Sequence, residues 1–169
     1  MSEVKININL CSQQLTLWEA SPDGERKLRE YPVSTALNGA GEVEGSYCTP
    51  RGRHRIAQKI GADAPLYSVF KARMPTGVIW TPELEAKAPE SDWILSRILW
   101  LEGTEPGKNQ GGTVDSHARY IYIHGTNEEA RIGTAVSHGC IRMRNADVVD
   151  LFERVAVGTA VEITETQAA

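Results

Sequence analysis

Apolar and polar residues alternate along much of this chain. The segment from Val4 to Leu10 is apolar at every second residue, which is the pattern of a strand with one buried face. After a polar turn at 11–14 the alternation returns from Leu15 to Trp18, so these two segments predict a β-hairpin. Comparable short runs predict further strands at 28–35, 54–60, 66–72, 78–81, 94–101, 120–123 and 160–164.

One segment near the C-terminal end has a convincing helical period. Its apolar residues recur at i, i+3, i+4 and i+7 between Val148 and Val155, which gives the helix one apolar face. Asn145 is a favoured N-cap residue, and Asp147 would place negative charge in the first turn, where the helix dipole favours it. We therefore predict a helix that Asn145 caps and that Gly158 ends.

Two long segments, Asn38–Arg53 and Glu102–Ser116, are too rich in glycine for regular structure and predict loops. Long loops in compact domains are often functional. Residues 82–92 are polar with two prolines, which indicates a solvated connection with room for one helical turn. The complete pattern predicts a mostly β single domain over residues 1–166, with one main helix and a C-terminal tail at 167–169.

The net charge and the hydropathy of the chain argue against nucleic-acid binding and against a membrane span. The chain of 169 residues has a formal net charge of −4, which argues against a nucleic-acid-binding surface. A basic cluster at 51–55 is expected to be a solvated turn and strand edge. No run approaches the ~18 apolar residues that a membrane span requires.

Cysteine usage and the N-terminus bear on the compartment. Cys11, Cys48 and Cys140 are odd in number and irregularly spaced, which indicates free thiols in a reducing environment rather than a disulfide framework. The first residues are polar at every second position and contain no apolar core of a signal peptide. We expect a cytoplasmic protein, or a periplasmic one if this sequence is part of a longer precursor.

The candidate chemistry lies between Tyr120 and Asn145, a segment that holds His124, His138 and Cys140. A catalytic thiol requires a base that removes its proton, a group that orients the base, and backbone donors for an oxyanion. His124 follows directly after a predicted strand, and the intervening loop could return the chain so that Cys140 lies opposite it. This one segment could therefore supply every part of a cysteine active site.

We assign His124 as the base of Cys140. His138, two positions before the thiol, is expected to point away from it and to have a supporting role. Gly139 has no side chain, so a substrate carbonyl could approach the amides of Gly139 and Cys140, which are the candidate oxyanion donors. The carbonyl of Gly125 is a candidate for fixing the tautomer of His124.

Other interpretations of these residues remain open at this point. His124, His138 and Cys140 could bind zinc, but a structural site needs a fourth ligand, and no residue at paired spacing supplies one. They could also be buried structural residues. His54 is expected to be a structural residue or to lie at the surface, and His117 is expected to be a loop residue. The thiols at positions 11 and 48 have no accompanying histidine or carboxylate. We predict no metal and no cofactor.

The segment HGTNEEARIGTAVSHGCIRMRNADVVDL resembles the active-site signature of the L,D-transpeptidase (YkuD-type) catalytic domain family. The segments Tyr31–Thr35, Thr49–Gly52 and Lys59–Gly61 are similar to upstream strands and a Thr-Pro-x-Gly turn of that family. The resemblance therefore covers nearly the whole chain. It implies a β-sandwich domain with its main helix after the cysteine loop.

The resemblance also implies roles for individual residues. Cys140 would attack the carbonyl on the L-centre of diaminopimelate in a peptidoglycan tetrapeptide, with His124 as the base. Ser137, His138 and Gly139 would shape the oxyanion and substrate side of the site. Arg142 would hold a carboxylate of the stem peptide, unless it is simply a surface arginine. Carbapenem-type inhibitors would acylate the same thiol.

Three functions are compatible with this resemblance. The first is a cytoplasmic L,D-carboxypeptidase of muropeptide recycling, in which water resolves the acyl-enzyme. The second is an L,D-transpeptidase that cross-links stem peptides or exchanges D-amino acids in the cell wall. The third is an inactive module that only binds stem peptides.

Overall fold

The computed structural model describes residues 3–167 of the chain. The expected tail at 167–169 therefore lies outside the described residues except for Gln167. Within this range the chain forms β1 (Val4–Asn9), β2 (Gln14–Ser21), β3 (Gly24–Ser34), β4 (Gly52–Ile60), β5 (Ser68–Lys71), β6 (Met74–Ile79), α1 (Pro82–Lys87), β7 (Ile94–Gly103), β8 (Tyr122–Gly125), β9 (Ile141–Met143), α2 (Asn145–Arg154) and β10 (Ala160–Thr164).

The strands form one hydrogen-bonded sheet in the order β4-β10-β1-β2-β3-β9-β8-β7-β5-β6. A further pairing of β4 with β7 joins the first strand of this order to the eighth. Eight strands therefore form a closed ring, and the β5–β6 hairpin is attached to its outside through β7. The prediction of a mostly β single domain with one main helix is confirmed.

The main core is built from alternate residues of the ring strands. Each of the eight strands contributes, because successive side chains of a strand point to opposite faces. Val148, Leu151 and Phe152 of α2 pack into the same cluster. The fully buried strand residues include Ile8, Leu15, Leu17, Val33, Ile56, Leu99, Leu101, Ile123, Ile141 and Met143.

The strand predicted at 120–123 is displaced: the structure places it at Tyr122–Gly125. Tyr120 has a left-handed φ of 58°, and its N–H donates to the carbonyl of His117, so the chain is still turning there. This late start places His124 and Gly125 inside β8, whereas the sequence pattern predicted that the strand ended before them.

The N-cap prediction for α2 is wrong. Arg144 occupies the N-cap position without a side-chain cap, and Asn145 is the first residue of the helix. The Asn145 side chain is buried and hydrogen-bonds Ser96 and the carbonyl of Thr126 instead. The helix ends at Arg154, before Gly158, so the glycine is not the residue that ends it. A tertiary contact lies at this end of the helix instead. Neither described helix has the length and hydropathy of a membrane span.

That tertiary contact is made by Lys59 of β4. Its Nζ donates to the carbonyls of Phe152 and Val155, each at 2.7 Å, and lies 4.2 Å from the centre of the Phe152 ring. A cation at a helix C-terminus satisfies the last carbonyls and interacts favourably with the helix dipole. Lys59 therefore connects β4 to the end of α2.

Lys59→Met is expected to lower the free energy of unfolding by about 1–3 kcal/mol, because it removes charge-assisted hydrogen bonds while keeping the aliphatic stem. Urea denaturation followed by circular dichroism would measure the change. Lys71→Met, on the exposed β5–β6 hairpin, is the matched control and should stay within about 0.5 kcal/mol of the parent. Equal stability of the two variants would contradict a role for Lys59 in ending α2.

Candidate active site

Parallel pairing of β8 with β9 brings the predicted site residues together. The register pairs Ile123 with Ile141 and His124 with Arg142. Because Ile123 and Ile141 face the core, the residues that alternate with them face the opposite side of the sheet. On that opposite side lies a cavity of about 210 Å³, whose lining includes His124, Ser137, His138, Cys140 and Arg142.

The Cys140 thiol is held by backbone groups. The Tyr122 N–H donates to Sγ at 3.4 Å, and the thiol donates to the carbonyl oxygen of Tyr120 at 3.3 Å. Burial raises the pKa of Cys140 to about 12, although the Tyr122 hydrogen bond opposes this shift. In the resting site Cys140 is therefore a neutral thiol, and it needs a base.

His124 is buried and is the predicted base that shares the cavity with this thiol. Its Nδ1 lies 2.6 Å from the carbonyl oxygen of Gly125. Since a carbonyl only accepts, Nδ1 carries the proton and Nε2 keeps its lone pair. Burial lowers the pKa of His124, partly opposed by the charge of Asp92 and the Gly125 hydrogen bond. The expected contact with the Gly125 carbonyl is present, and His124 is a neutral imidazole with a free acceptor.

Gly125 is held in place by a buried polar network. A Cβ at this position would lie 2.6 Å from the carbonyl oxygen of Leu95 and too close to Oδ1 of Asn145. Asn145 accepts from Ser96 Oγ at 2.6 Å and donates to the carbonyl of Thr126 at 2.8 Å. The helix residue Asn145 therefore fixes the end of β8, and with it the carbonyl that orients His124.

The residues from Ser137 to Cys140 form the turn that carries the thiol. Ser137 Oγ donates to the Cys140 carbonyl at 2.7 Å and accepts from the Gly139 N–H at 3.2 Å. The Gly139 amide, one of the two expected oxyanion donors, is thus occupied by Ser137. The amides of His138 and Cys140 have no hydrogen-bond partner among residues 3–167. They are the donors that are free to receive an oxyanion.

The first glycine-rich loop, predicted at 38–53 and ending in the structure where β4 begins at Gly52, forms a wall behind this turn. Thr49 Oγ1 donates to the Gly139 carbonyl at 2.8 Å. A Cβ on Gly139 would lie 3.2 Å from the carbonyl oxygen of Cys48. Arg119 donates to the carbonyls of Gly41, Glu42 and Cys48, the last at 2.8 Å. Cys48 thus contributes its backbone to the wall of the site.

His138 lies at the rim of the cavity, and Arg142 lies in its wall. His138 is exposed and lies edge-on to Tyr47, with 5.9 Å between ring centres. Strand alternation does not support the expectation that His138 points away from the thiol, because residues two apart in a strand share a face. The turn at Gly139, with φ of 131°, separates the two side chains.

The alternative that Arg142 is a surface arginine is wrong. Its side chain is only 14% exposed, and its guanidinium lies 3.7 Å from a carboxylate oxygen of Glu128. That distance exceeds the 2.7–2.9 Å, roughly, of a charge-assisted hydrogen bond, so the guanidinium remains available to a ligand.

Two other histidines lie outside the cavity lining. His54 is buried and hydrogen-bonds Ser116 Oγ and the Gly52 carbonyl, so its predicted structural role is confirmed. His117 stacks on Trp100 with 4.0 Å between ring centres. Within residues 3–167 no group of three or more His, Cys, Asp or Glu side chains could hold a metal ion.

Sequence reasoning missed five residues of the cavity lining: Asp92, Ile94, Arg119, Tyr120 and Tyr122. The two tyrosines act on Cys140 through their backbones, which no residue type can signal. Arg119 follows a loop in the sequence and carries no motif. Asp92 lies at the end of the polar connection, two positions before β7, and its place beside the start of a predicted strand was the available signal.

The family model of the L,D-transpeptidase catalytic domain (YkuD) matches residues 3–163 of this chain. The chain belongs to this family. A putative L,D-transpeptidase YkuD of Bacillus subtilis is 38% identical over 112 residues, covering 65% of each chain. The probable L,D-transpeptidase YbiS of Escherichia coli is 35% identical over 102 residues, 53% of this chain and 33% of that relative. This L,D-transpeptidase domain thus matches about a third of the Escherichia coli protein.

The fold is shared with solved members of the family. The structure of LD transpeptidase LdtMt1 in complex with imipenem matches with a TM-score of 0.56 at 19% identity. The match covers 96% of this chain and 59% of that one. At this identity the likeness concerns the fold alone.

Gly139→Ala is expected to slow acylation of Cys140 by a carbapenem about 10- to 100-fold, because a Cβ would push the turn and its amides away from the Cys48 carbonyl. Stopped-flow absorbance of β-lactam opening would measure this rate. Gly133→Ala is the matched control, since Gly133 also has a positive φ, of 103°, but nothing within 4 Å of an added Cβ. If both variants acylate like the parent, the close approach at Gly139 has no catalytic importance.

The alkylation rate of Cys140 by iodoacetamide is expected to rise about tenfold per pH unit between about pH 6 and 9, without a plateau, since the thiolate is the reactive form and the pKa is raised. A Cys11→Ser, Cys48→Ser variant isolates this thiol, and a variant that keeps only the exposed Cys11 is the reference. A plateau near neutral pH would reveal a thiolate–imidazolium pair and contradict the neutral resting state.

Proposed function

We propose that this chain is a cysteine acyl-enzyme that cleaves the diaminopimelyl–D-alanine bond of peptidoglycan tetrapeptides, with water as the acceptor. One observation carries the proposal: Cys140 and a correctly protonated His124 share a cavity, because Gly125 fixes the imidazole with Nε2 unprotonated. Membership of the L,D-transpeptidase catalytic domain family supports the substrate class.

The first step is proton transfer. The Cys140 S–H turns from the Tyr120 carbonyl toward Nε2 of His124, and the proton moves to the imidazole. The sulfur then attacks the carbonyl carbon on the L-centre of the diaminopimelyl residue. The Gly125 carbonyl keeps accepting from Nδ1–H, so the imidazolium keeps its orientation.

The negative charge of the tetrahedral intermediate then needs donors. The free N–H groups of Cys140 and His138 lie on the turn beside the sulfur and are the candidates. Ser137 Oγ stiffens this turn from inside by bonding the Cys140 carbonyl and the Gly139 N–H. Donors fixed before the reaction need no reorganisation when the charge develops, which is why such a turn accelerates acyl transfer.

Collapse of the intermediate expels D-alanine, whose amine takes the proton from His124. A thioester on Cys140 remains, and the neutral His124 next removes a proton from the incoming acceptor as it attacks the thioester carbonyl. The Cys140 sulfur then leaves and takes this proton from His124, which restores the neutral pair. The half-buried Arg142 is proposed to hold a carboxylate of the stem peptide, for which a planar guanidinium is suited.

The size of the cavity supports water as the acceptor. Its volume of about 210 Å³ is below the roughly 300–1,000 Å³ typical of pockets for drug-sized ligands. Such a space suits one diaminopimelyl residue and a water molecule better than two peptide ends. We further propose a cytoplasmic location and a role in trimming soluble muropeptides, for which the free cysteines are a supporting observation.

A second candidate is transpeptidation, in which an amine of another stem peptide or a D-amino acid resolves the thioester. The names of the relatives favour it, since the matched proteins of Bacillus subtilis and Escherichia coli are both described as L,D-transpeptidases. All steps up to the thioester are common to the two candidates. Only the group that attacks the thioester differs.

Incubation of the purified chain with tetrapeptide muropeptide is expected to yield tripeptide and free D-alanine, separated by liquid chromatography. Dimers, or exchange of D-alanine for an added D-amino acid, would establish transpeptidation instead. His124→Gln should lower kcat/KM by about 100- to 10,000-fold, because general base catalysis is lost. His117→Gln, at a histidine outside the cavity, is the matched control and should retain activity.

A carbapenem is expected to add covalently to Cys140, with a mass increase equal to the intact inhibitor in the intact-protein spectrum. Cys140→Ala should show no adduct. If neither protein is modified and both bind muropeptide equally, the chain is a stem-peptide-binding module and the enzyme proposal is wrong.

A further inference from the structure

Asp92 places an unpaired carboxylate in the active-site cavity. The residue is exposed and lines the cavity together with His124, Cys140 and Arg142. Within residues 3–167 it takes part in no salt bridge or side-chain hydrogen bond, whereas Arg142 is at least partly balanced by Glu128. The catalytic steps described above give Asp92 no task.

The charge of Asp92 acts directly on the reacting groups. It raises the pKa of His124 and also that of Cys140, whereas the charge of Arg142 lowers both. Asp92 and Arg142 therefore both lie close to the site of bond cleavage. A lone carboxylate beside a nucleophilic thiol disfavours the thiolate. Its presence is unfavourable for catalysis unless a cation from the substrate compensates it.

The cavity itself does not supply that cation. Arg119 is the other guanidinium in the lining, but it donates to the backbone of the 38–53 loop. Arg142 forms no salt bridge with Asp92 among residues 3–167; its ion pair is with Glu128, at 3.7 Å, which leaves the guanidinium available to a ligand. A ligand that carries an ammonium group and a carboxylate close together would complement Asp92 and Arg142 at the same time.

The proposed substrate contains such a group. The distal end of diaminopimelate bears an amino group and a carboxylate on one carbon, joined by a short methylene chain to the carbon next to the scissile carbonyl. A lysyl stem peptide has the ammonium group but lacks the carboxylate. An N-acetylated diaminopimelyl residue keeps the carboxylate and lacks the cation.

We propose that Asp92 binds the side-chain ammonium group of the diaminopimelyl residue while Arg142 binds the carboxylate on the same carbon. Asp92 is thus a specificity-determining residue, and the substrate class is the stem peptide with a free, zwitterionic diaminopimelate end. This inference rests on the proposed function. It has a chemical consequence, because a bound ammonium group neutralises Asp92 and so removes one obstacle to forming the Cys140 thiolate.

The test compares two tetrapeptides, one with a free side-chain amine on diaminopimelate and one with that amine acetylated. Wild-type protein should prefer the free amine by about 10- to 50-fold in kcat/KM, the range for one charge-assisted hydrogen bond. Asp92→Asn should lose this preference, mainly by slower turnover of the free amine. Glu90→Gln, an exposed carboxylate of the same connection, is the matched control and should keep the wild-type preference.

Binding provides a second measurement that does not depend on turnover. In the Cys140→Ala background, calorimetric titration with the free-amine tetrapeptide should show a Kd about 10- to 50-fold weaker when Asp92→Asn is added. The acetylated peptide should bind both proteins equally. Equal preference for the two peptides in wild-type protein, or equal losses for both in Asp92→Asn, would overturn the proposal.

A separate arm distinguishes failure of this inference from failure of the proposed function. Carbapenem acylation of Cys140 needs no ammonium group, and Asp92→Asn should react at least as fast as wild type, since the charge that disfavours the thiolate is gone. If the carbapenem labels Cys140 but the amine preference is absent, only the role of Asp92 is refuted. If no adduct forms on wild-type protein, the acyl-enzyme proposal itself fails.

Discussion

The active site depends on the register of two short parallel strands, β8 and β9. Parallel neighbours require a crossover connection, and here the connection is the segment between Gly125 and Ile141. Apolar residues at 123 and 141 bury one face in the core. The residues that alternate with them must then appear side by side on the other face. A slip of one residue in either strand would turn His124 or Cys140 toward the core and an isoleucine toward the cavity, so packing of the core fixes the register of these residues.

Backbone groups surround the reactive side chains. The Gly125 carbonyl orients the imidazole, the Tyr120 carbonyl accepts from the thiol, and the Tyr122 amide donates to the sulfur. A carbonyl stabilises an imidazolium less than a carboxylate would, because it carries no net charge. The resting pair is accordingly neutral, with the pKa of the thiol raised and that of the imidazole lowered.

The sequence was informative where side-chain type and spacing decide the structure. Alternation located the strands from Val4 to Ile60, and the segment from His124 to Cys140 indicated the thiol, the imidazole that shares its cavity and the carbonyl that this imidazole contacts. Prediction from the sequence failed where tertiary contacts decide the local structure. Asn145 has the residue type of an N-cap, but its amide is used to secure Thr126. Strand β8 starts two residues later than its apolar pattern indicated, because Tyr120 adopts a left-handed turn.

Closure of the ring by β4 and β7 leaves β6 as the free margin of the sheet among the described strands. An unpaired strand margin is a template for association with other chains, and this one exposes Met74, Val78 and Ile79. The same strand contains Pro75, which has no N–H to donate, and Gly77, which weakens extended structure. Pro75 removes one donor from the row that a second chain would need, and Gly77 disfavours the extended backbone that such pairing requires, so both residues disfavour self-assembly at the place where the sheet is open.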